Sequence, residues 1–402
     1  MVRSTDPSPC IEKERVTNMD LDPTEAERMV RELARRFAVE HVEPRAREID
    51  EKDEFLPDLV HVAADLGLLG MELPEEEGGA NSGTLAAVMS AEEIGRVSAS
   101  VCAAISAIRL HVSLTHRFGS SAQRARWLKT LSSGREIGGF AITEPGAGSD
   151  VGSIKTTAVR RGDRWVINGQ KALITFAPVS QMMIVLVSTD PSKGSRGQTC
   201  FIVEKGTPGL TVGPKESMMG HRGLPSAQVF FEDCAVPTEN MLGEEAQGFK
   251  IMMSALDGTR LDVAALSLGL SQAAYEQAAA YAVTREQFGR PIGDFQGVSF
   301  MLAEMATEID AGRLLLYRAA RMRDLGVPFA KEASMAKYFC ADNAMRHTTD
   351  AVQIFGGYGY TKAYPLERFM RDAKACQIYD GTSQIHRMII ARKVLQQFRE
   401  ST

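Results

Sequence analysis

The sequence predicts a mainly helical α+β protein in which helical N-terminal and C-terminal parts flank a middle β region. Three observations carry this. Apolar residues recur at helical spacing from Pro23 to about Leu131, and again from Gly248 to Gln397. Between Gly138 and Gly243 the period shortens to β-branched runs, among them Arg164–Ile167, Met183–Val187 and Gln228–Phe231. At 402 residues the chain is also too long for one ordinary core. The order helices, strands, helices points to separate layers or domains rather than a βαβ repeat. The expected division is a tail over 1–21, a helical domain over 22–137, an antiparallel β domain over 138–245 and a helical domain over 246–402.

Each element has its own signal. Met1–Met19 carries Pro7, Pro9 and mixed charges without an apolar stretch, so it reads as a frayed tail and not as a signal or transit peptide. Thr24 with Glu27 three residues on is a capping box that starts the first helix. Met29, Val30, Leu33, Ala34, Phe37 and Ala38 then form its apolar stripe. A Gly/Asn loop over Glu77–Gly83 separates this region from a helical run over Leu85–Ile94. In the β region, Asn168-Gly169 between Val166-Ile167 and Ala172-Leu173-Ile174 predicts a two-residue hairpin. Further prolines and glycines there suggest a small antiparallel sandwich or barrel.

Composition narrows the function. Lys plus Arg number 46 against 51 acids, a net charge of -5, which excludes a chain-wide basic footprint for nucleic acid. No 18-residue apolar run is present, so no membrane span is expected. The six cysteines, Cys10, Cys102, Cys200, Cys234, Cys340 and Cys376, are scattered without CxxC or Cys/His spacing. That predicts no metal site and suits a reducing, cytoplasmic setting.

Four segments can carry chemistry. Ala141–Asp150 puts three small residues and the hydroxyls of Thr143 and Ser149 in one loop. Such a loop brings backbone N–H groups close to a flat ligand or phosphate, and as composition alone it is equally a turn. Gln353–Tyr360 sets three glycines beside two tyrosines, more than a helix C-cap uses. Arg285–Ile292 places two arginines around a Phe-Gly turn, either a solvated helix end or a pyrophosphate clamp. Asp380, before a helical run, reads as a helix cap or as a general base; His386 reads as an ordinary histidine.

Together and in this order, these segments resemble the acyl-CoA dehydrogenase family of flavoproteins over roughly residues 22–398. Ala141–Ser153 matches that family's first signature. Gln353–Asp372 matches its second, apart from Ala363 where an acid is usual. Arg285–Arg290 with Gln296, and Asn168–Lys171 with Ile174-Thr175, complete the set. The resemblance implies an N-terminal helical domain, a middle β domain, a C-terminal four-helix bundle, bound FAD and a homotetramer. By position, Thr143, Ser149 and Thr175 would contact the flavin. Arg285, Phe288, Gln296, Gln353, Gly356 and Gly357 would reach the FAD of a neighbouring subunit, and Thr382 and Gln384 would hold the FAD from the other side. Ser149, Arg260, Tyr379 and Gly381 would meet the substrate. Leu173 replaces a common aromatic.

The reaction so implied is α,β-dehydrogenation of an acyl-CoA of short, medium or branched chain, with electrons passing to electron-transfer flavoprotein. The base position, usually Glu, is Asp380 here. The position from which another subgroup supplies Glu is Thr259, and Asp257 lies about 200° around the helix from it. Asp is shorter by roughly 1.5 Å of reach. That leaves room for a substrate seated closer, for an acyl group on a carrier protein, or for a flavin oxidase related to nitroalkane oxidase. Cys102 stands near an arginine of glutaryl-specific members, which disfavours dicarboxylic substrates. Arg109 reads as an outward-facing helix residue or as a ligand for a polar acyl substituent.

Overall fold

The computed structural model describes residues 19–400. The capping box forms as expected: Thr24 Oγ1 accepts from Glu27 N at 3.3 Å, and the Glu27 carboxylate accepts from Thr24 N at 2.7 Å. It starts helix α1 (Glu25–Phe37), which passes through a π-helical turn at Ala38–Val42 into α2 (Glu43–Lys52). Ala34, Phe37 and Ala38 are buried, whereas Met29 faces solvent. The Glu27 carboxylate also accepts from Arg321 Nη2 at 2.8 Å, tying this end to the C-terminal bundle. Arg321 further donates to the carbonyls of Asp20 and Asp22. The rest of the expected tail, residues 1–18, lies outside the described residues.

Helices α3 (Pro57–Asp65), α4 (Gly83–Gly95), α5 (Ala99–Phe118) and α6 (Ser121–Ser132) complete the first helical layer. Helix α4 is buried around its whole circumference. Its two acids are matched there: Arg313 Nη2 donates to Glu92 at 2.8 Å and Arg31 Nε to Glu93 at 2.7 Å. The helix crosses α7 (Gly248–Thr284) so closely that a Cβ on Gly269 would stand 2.4 Å from the Glu92 carbonyl oxygen. Only glycine admits that crossing.

The strands are β1 (Gly138–Ala141), β2 (Thr157–Arg161), β3 (Arg164–Thr175), β4 (Met182–Ser188), β5 (Gln198–Glu204), β6 (Leu210–Lys215), β7 (Ser226–Pro237) and β8 (Met241–Leu242). Their order is β6-β7-β3-β2-β4-β5-β8, with β1 added on β4. The runs β6-β7-β3-β2 and β4-β5-β8 are antiparallel as expected. The seam between them is parallel: β1 pairs with β4 from Gly138↔Met182, and β2 touches β4 at Thr157↔Ser188. Strand β4 shows the period of two. Met182, Ile184 and Leu186 join the core shared with the helices, and Met183, Val185 and Val187 join the sheet's own core around Trp165, Phe201 and Val229.

The hairpin expected at Asn168-Gly169 is not there. Strand β3 runs unbroken through both residues, and the chain reverses instead at Gly162-Asp163, between the paired Arg161 and Arg164. Asn168-Gly169 marks a bulge against β7, where the register jumps from Ile167↔Cys234 to Gly169↔Phe231. The glycine is required by proximity, since a Cβ at Gly169 would lie 2.6 Å from Thr156 Oγ1.

After α7 a small hairpin, β9 (Glu286–Gln287) with β10 (Arg290–Pro291), leads into α8 (Gln296–Asp324) and α9 (Ala330–Phe355). The short α10 (Leu366–Cys376) and the final α11 (Ser383–Glu400) follow. The four long helices α7, α8, α9 and α11 form the bundle expected. Among the described residues no helix is long and apolar enough to cross a membrane, and no cluster of His, Cys, Asp and Glu could hold a metal.

Candidate active site

The turn between α10 and α11 carries Asp380. Asp372 on α10 fixes the approach, its Oδ1 accepting from His221 N at 2.6 Å. The backbone then takes two successive positive-φ residues, Asp380 at 55° and Gly381 at 99°. The Thr382 hydroxyl accepts from Ile385 N at 3.3 Å and caps α11. Asp380 is therefore not itself the cap; its side chain is left for the site.

Helix α7 brings Thr259 and Arg260 against this carboxylate. The Thr259 hydroxyl donates to the Leu256 carbonyl at 3.3 Å and stands close enough to Asp380 to favour its ionised form. Burial pushes the Asp380 carboxyl above the ordinary carboxylate range, against the pull of Thr259, Lys337 and Arg260. Arg260 is buried and hydrogen-bonded to Asp257, so the acid expected to face elsewhere is held by its own helix neighbour. Tyr379 packs edge-on against His221 with ring centroids 5.7 Å apart.

On the sheet side, strand β1 leads into the loop holding Thr143 and Ser149. Glu144 is its anchor, accepting from Lys155 N at 2.7 Å, Thr156 N at 3.0 Å and Lys171 Nζ at 2.9 Å. Pro145, Gly146, Gly148 and Ser149 remain exposed, and a Cβ on either glycine would meet nothing within 4 Å. The Thr143 carbonyl accepts from Ala172 N at 2.9 Å, which sets Thr143 beside the strand that ends at Thr175. Leu173 is exposed there with a φ of 58°.

The remaining expected residues gather at one end of the bundle. Arg285, Phe288 and Gln296 are exposed around the β9–β10 hairpin, with Phe288 at its tip 94% exposed. Arg290 stacks over Phe295 at 4.1 Å. Tyr281, in the last turn of α7 before the hairpin, stacks on Phe355 at 4.0 Å at the end of α9, where Gln353, Gly356 and Gly357 are exposed. A Cβ on Gly356 or Gly357 would also meet nothing within 4 Å. Gln384 is exposed on the first turn of α11. Among the described residues, no hydrogen bond or ring contact joins the hairpin end to Asp380 or to the loop of Ser149. Open glycine faces, exposed hydroxyls and a free-standing guanidinium suit a flavin dinucleotide, whose pyrophosphate takes backbone and arginine donors and whose ring needs flat approach.

Two readings of the sequence change. Arg109 does not face outward: it is 6% exposed and pairs with Glu72 at 3.1 Å and Asp262 at 3.3 Å, which also removes it as a ligand for a polar acyl group. Burial pushes the Asp262 carboxyl up to about 6 despite that cation. Lys337 was missed. It is fully buried on α9, and its Nζ donates to the Gly381 carbonyl at 2.6 Å. Its signal was present: it interrupts the apolar stripe of Ala333, Ala336, Cys340, Ala341 and Ala344.

Residues 24–135, 139–234 and 246–395 match the N-terminal, middle and C-terminal domains of acyl-CoA dehydrogenase. The acryloyl-CoA reductase (NADH) of Anaerotignum propionicum is 42% identical over 388 residues, covering 96% of this chain and 98% of that protein. Butyryl-CoA dehydrogenase from Megasphaera elsdenii is 40% identical over 94% of this chain and 100% of its own, with a TM-score of 0.91. A chain in a structure of the electron transferring flavoprotein of Acidaminococcus fermentans is 42% identical, with the same coverage and a TM-score of 0.91. The chain belongs to the acyl-CoA dehydrogenase family of FAD-dependent oxidoreductases.

Proposed function

We propose that this protein dehydrogenates a short-chain acyl-CoA between its α and β carbons, with Asp380 as the base. The observation that carries this is the Asp380 carboxyl itself, presented by a left-handed residue beside Thr259 and Arg260 and raised in proton affinity by burial. A base that takes a carbon-bound proton needs such an environment, because water would stabilise the carboxylate and blunt it. The α C–H bond breaks, its proton goes to an Asp380 oxygen, and its electron pair forms the new double bond as hydride leaves the β carbon. Bound FAD supplies the acceptor for that hydride. Three- and four-carbon acyl groups in the names of the relatives support the short chain. The name of the first relative also shows that a close homologue is known by the reverse, reducing direction.

Thr143, Ser149 and Thr175 would hold the flavin from the sheet, with Thr382 and Gln384 at the bundle. Arg285, Phe288, Gln296, Gln353, Gly356 and Gly357, standing exposed at the far end, would serve the FAD of a neighbouring copy in a homotetramer. Electron-transfer flavoprotein is the proposed acceptor, supported by the relative found in a structure of that protein. The five described cysteines are free and buried, which suits a reducing cytoplasm. The test is anaerobic bleaching of the yellow holoenzyme by a panel of acyl-CoAs and acyl-carrier proteins. Propionyl- or butyryl-CoA should bleach it, and Asp380→Asn should keep FAD and lose bleaching. Bleaching by carrier-bound acyl groups alone would replace CoA as the tether, and rapid peroxide formation in air would indicate an oxidase.

A further inference from the structure

Lys337 is an anomaly in its helix. It is fully buried, and among the described residues its only side-chain hydrogen bond runs to the Gly381 carbonyl at 2.6 Å and no carboxylate pairs with it directly. A buried ammonium in that condition is costly and calls for a counter-charge. The two acids nearest in sequence are already committed: Glu332 pairs with Lys331 at 3.2 Å and Arg318 at 3.8 Å, and Asp342 accepts from Ser383 Oγ at 2.6 Å, Gln377 Nε2 at 2.8 Å and Arg387 Nη2 at 2.7 Å. The largest opposing charge that Lys337 feels is the Asp380 carboxylate. Gly381, whose carbonyl it holds, is the second of the two positive-φ residues that aim Asp380.

We propose that Lys337 is a positioning residue for Asp380: its ammonium holds the Asp380–Gly381 turn through the Gly381 carbonyl and is the counter-charge of the carboxylate. The inference rests on Asp380 being the base. The groups that face this pair are Thr259, Arg260 and Asp262 from α7, Cys376 from α10, Tyr379 in the turn, Asp342 on the helix of Lys337, and His386 on α11. Asp262 is paired with Arg109, so it does not answer Lys337, and Arg260, a second cation, is itself paired with Asp257. The His386 ring is buried beside the Asp380–Gly381 backbone, and burial and the cations Lys337 and Arg260 push it down to about 3, so it stays neutral.

The test compares Lys337→Met with Lys337→Gln in the FAD-loaded enzyme, reading the pH profile of single-turnover bleaching. Gln keeps a donor for the Gly381 carbonyl without the charge; Met keeps neither. Loss of the cation leaves the carboxylate easier to protonate, so the acid limb should move to higher pH in both variants by about one unit. Only Met should also lower the plateau rate, by roughly 10- to 100-fold, as expected for a misaimed base. KM should hold in both, because Lys337 does not reach the substrate. An unmoved acid limb in variants that retain FAD would overturn the proposal, as would loss of FAD and fold in both. Asp380→Asn in the same assay separates the two ideas: if it bleaches normally, the base assignment fails first.

Discussion

Lys171 and Glu144 form an ion pair with both side chains shut from solvent, 2.9 Å between Nζ and Oε1. The ammonium also donates to the Ile142 carbonyl at 3.0 Å, so one buried cation ties strand β3 to the entry side of the loop that presents Ser149, and Glu144 carries the tie on to the N–H groups of Lys155 and Thr156. Burial brings the Lys171 ammonium down to about 8, while Lys171 and the loop N–H groups hold the Glu144 carboxyl low against its own burial. The loop's exposed glycines can stay open because its foot is locked.

Breaking that lock is expected to cost both stability and cofactor. Lys171→Met leaves Glu144 buried without its cation, a loss of about 3–5 kcal/mol. Thermal melting and flavin absorbance of the purified protein measure the two effects. Pairing Lys171→Met with Glu144→Gln should recover part of the melting temperature, because no charge is then stranded. Equal losses in the single and double variants would show that the pair is not coupled.

Asp380→Glu tests how closely the turn is built for the shorter side chain. The extra methylene moves the carboxyl past its Thr259 partner, and the bleaching rate should fall on the order of 10²-fold with FAD content unchanged. Wild-type rates in this variant would show that the turn absorbs the difference.

The rate of bleaching should rise with pH through one ionisation lying above the ordinary aspartate range. Asp380 must be ionised to accept a proton, and burial raises its affinity, so low pH silences the enzyme by protonating it. A rate that falls as pH is raised through that range would contradict this assignment.

Stability should fall on mild acidification. Burial lowers His111 to about 4 and His386 to about 3 from an ordinary 6.5. Both rings are neutral when folded, so the unfolded chain binds more protons below about pH 6.5. Their contribution is complete above that pH and shrinks as pH falls towards the folded values. Each ring should steepen the loss by about 1.4 kcal/mol per pH unit between roughly pH 6 and 4. Urea unfolding at a series of pH values measures the slope, and a flat profile would refute it.

Phe288 is expected to be covered by a neighbouring copy. Phe288→Asp should lower both the assembly size in light scattering and FAD retention. A wild-type monomer that holds FAD fully would sink the shared-site reading.

Several local features were legible because they depend on few residues. The Thr24 capping box, the glycine loop at 141–150 and the glycines after α9 are short-range backbone requirements, visible wherever small residues and hydroxyls cluster. Asn168-Gly169 misled for a related reason. A glycine is demanded equally by a tight turn and by a close crossing, and only the position of Thr156, just before strand β2, tells which.

What the sequence by itself determined is the layered order of helices, strands and helices, the family, the flavin and the candidate base. Those depend on periodicity and on motifs confined to a few residues. The tertiary structure alone decided how charges are matched. Arg109 looked outward until Glu72 and Asp262, 37 and 153 positions away, were placed beside it. Lys337 met a partner only when the chain returned 44 residues later to set the Gly381 carbonyl on its ammonium. A buried charge is tolerable only where a partner removes its desolvation cost, and partners so distant along the chain meet only after folding.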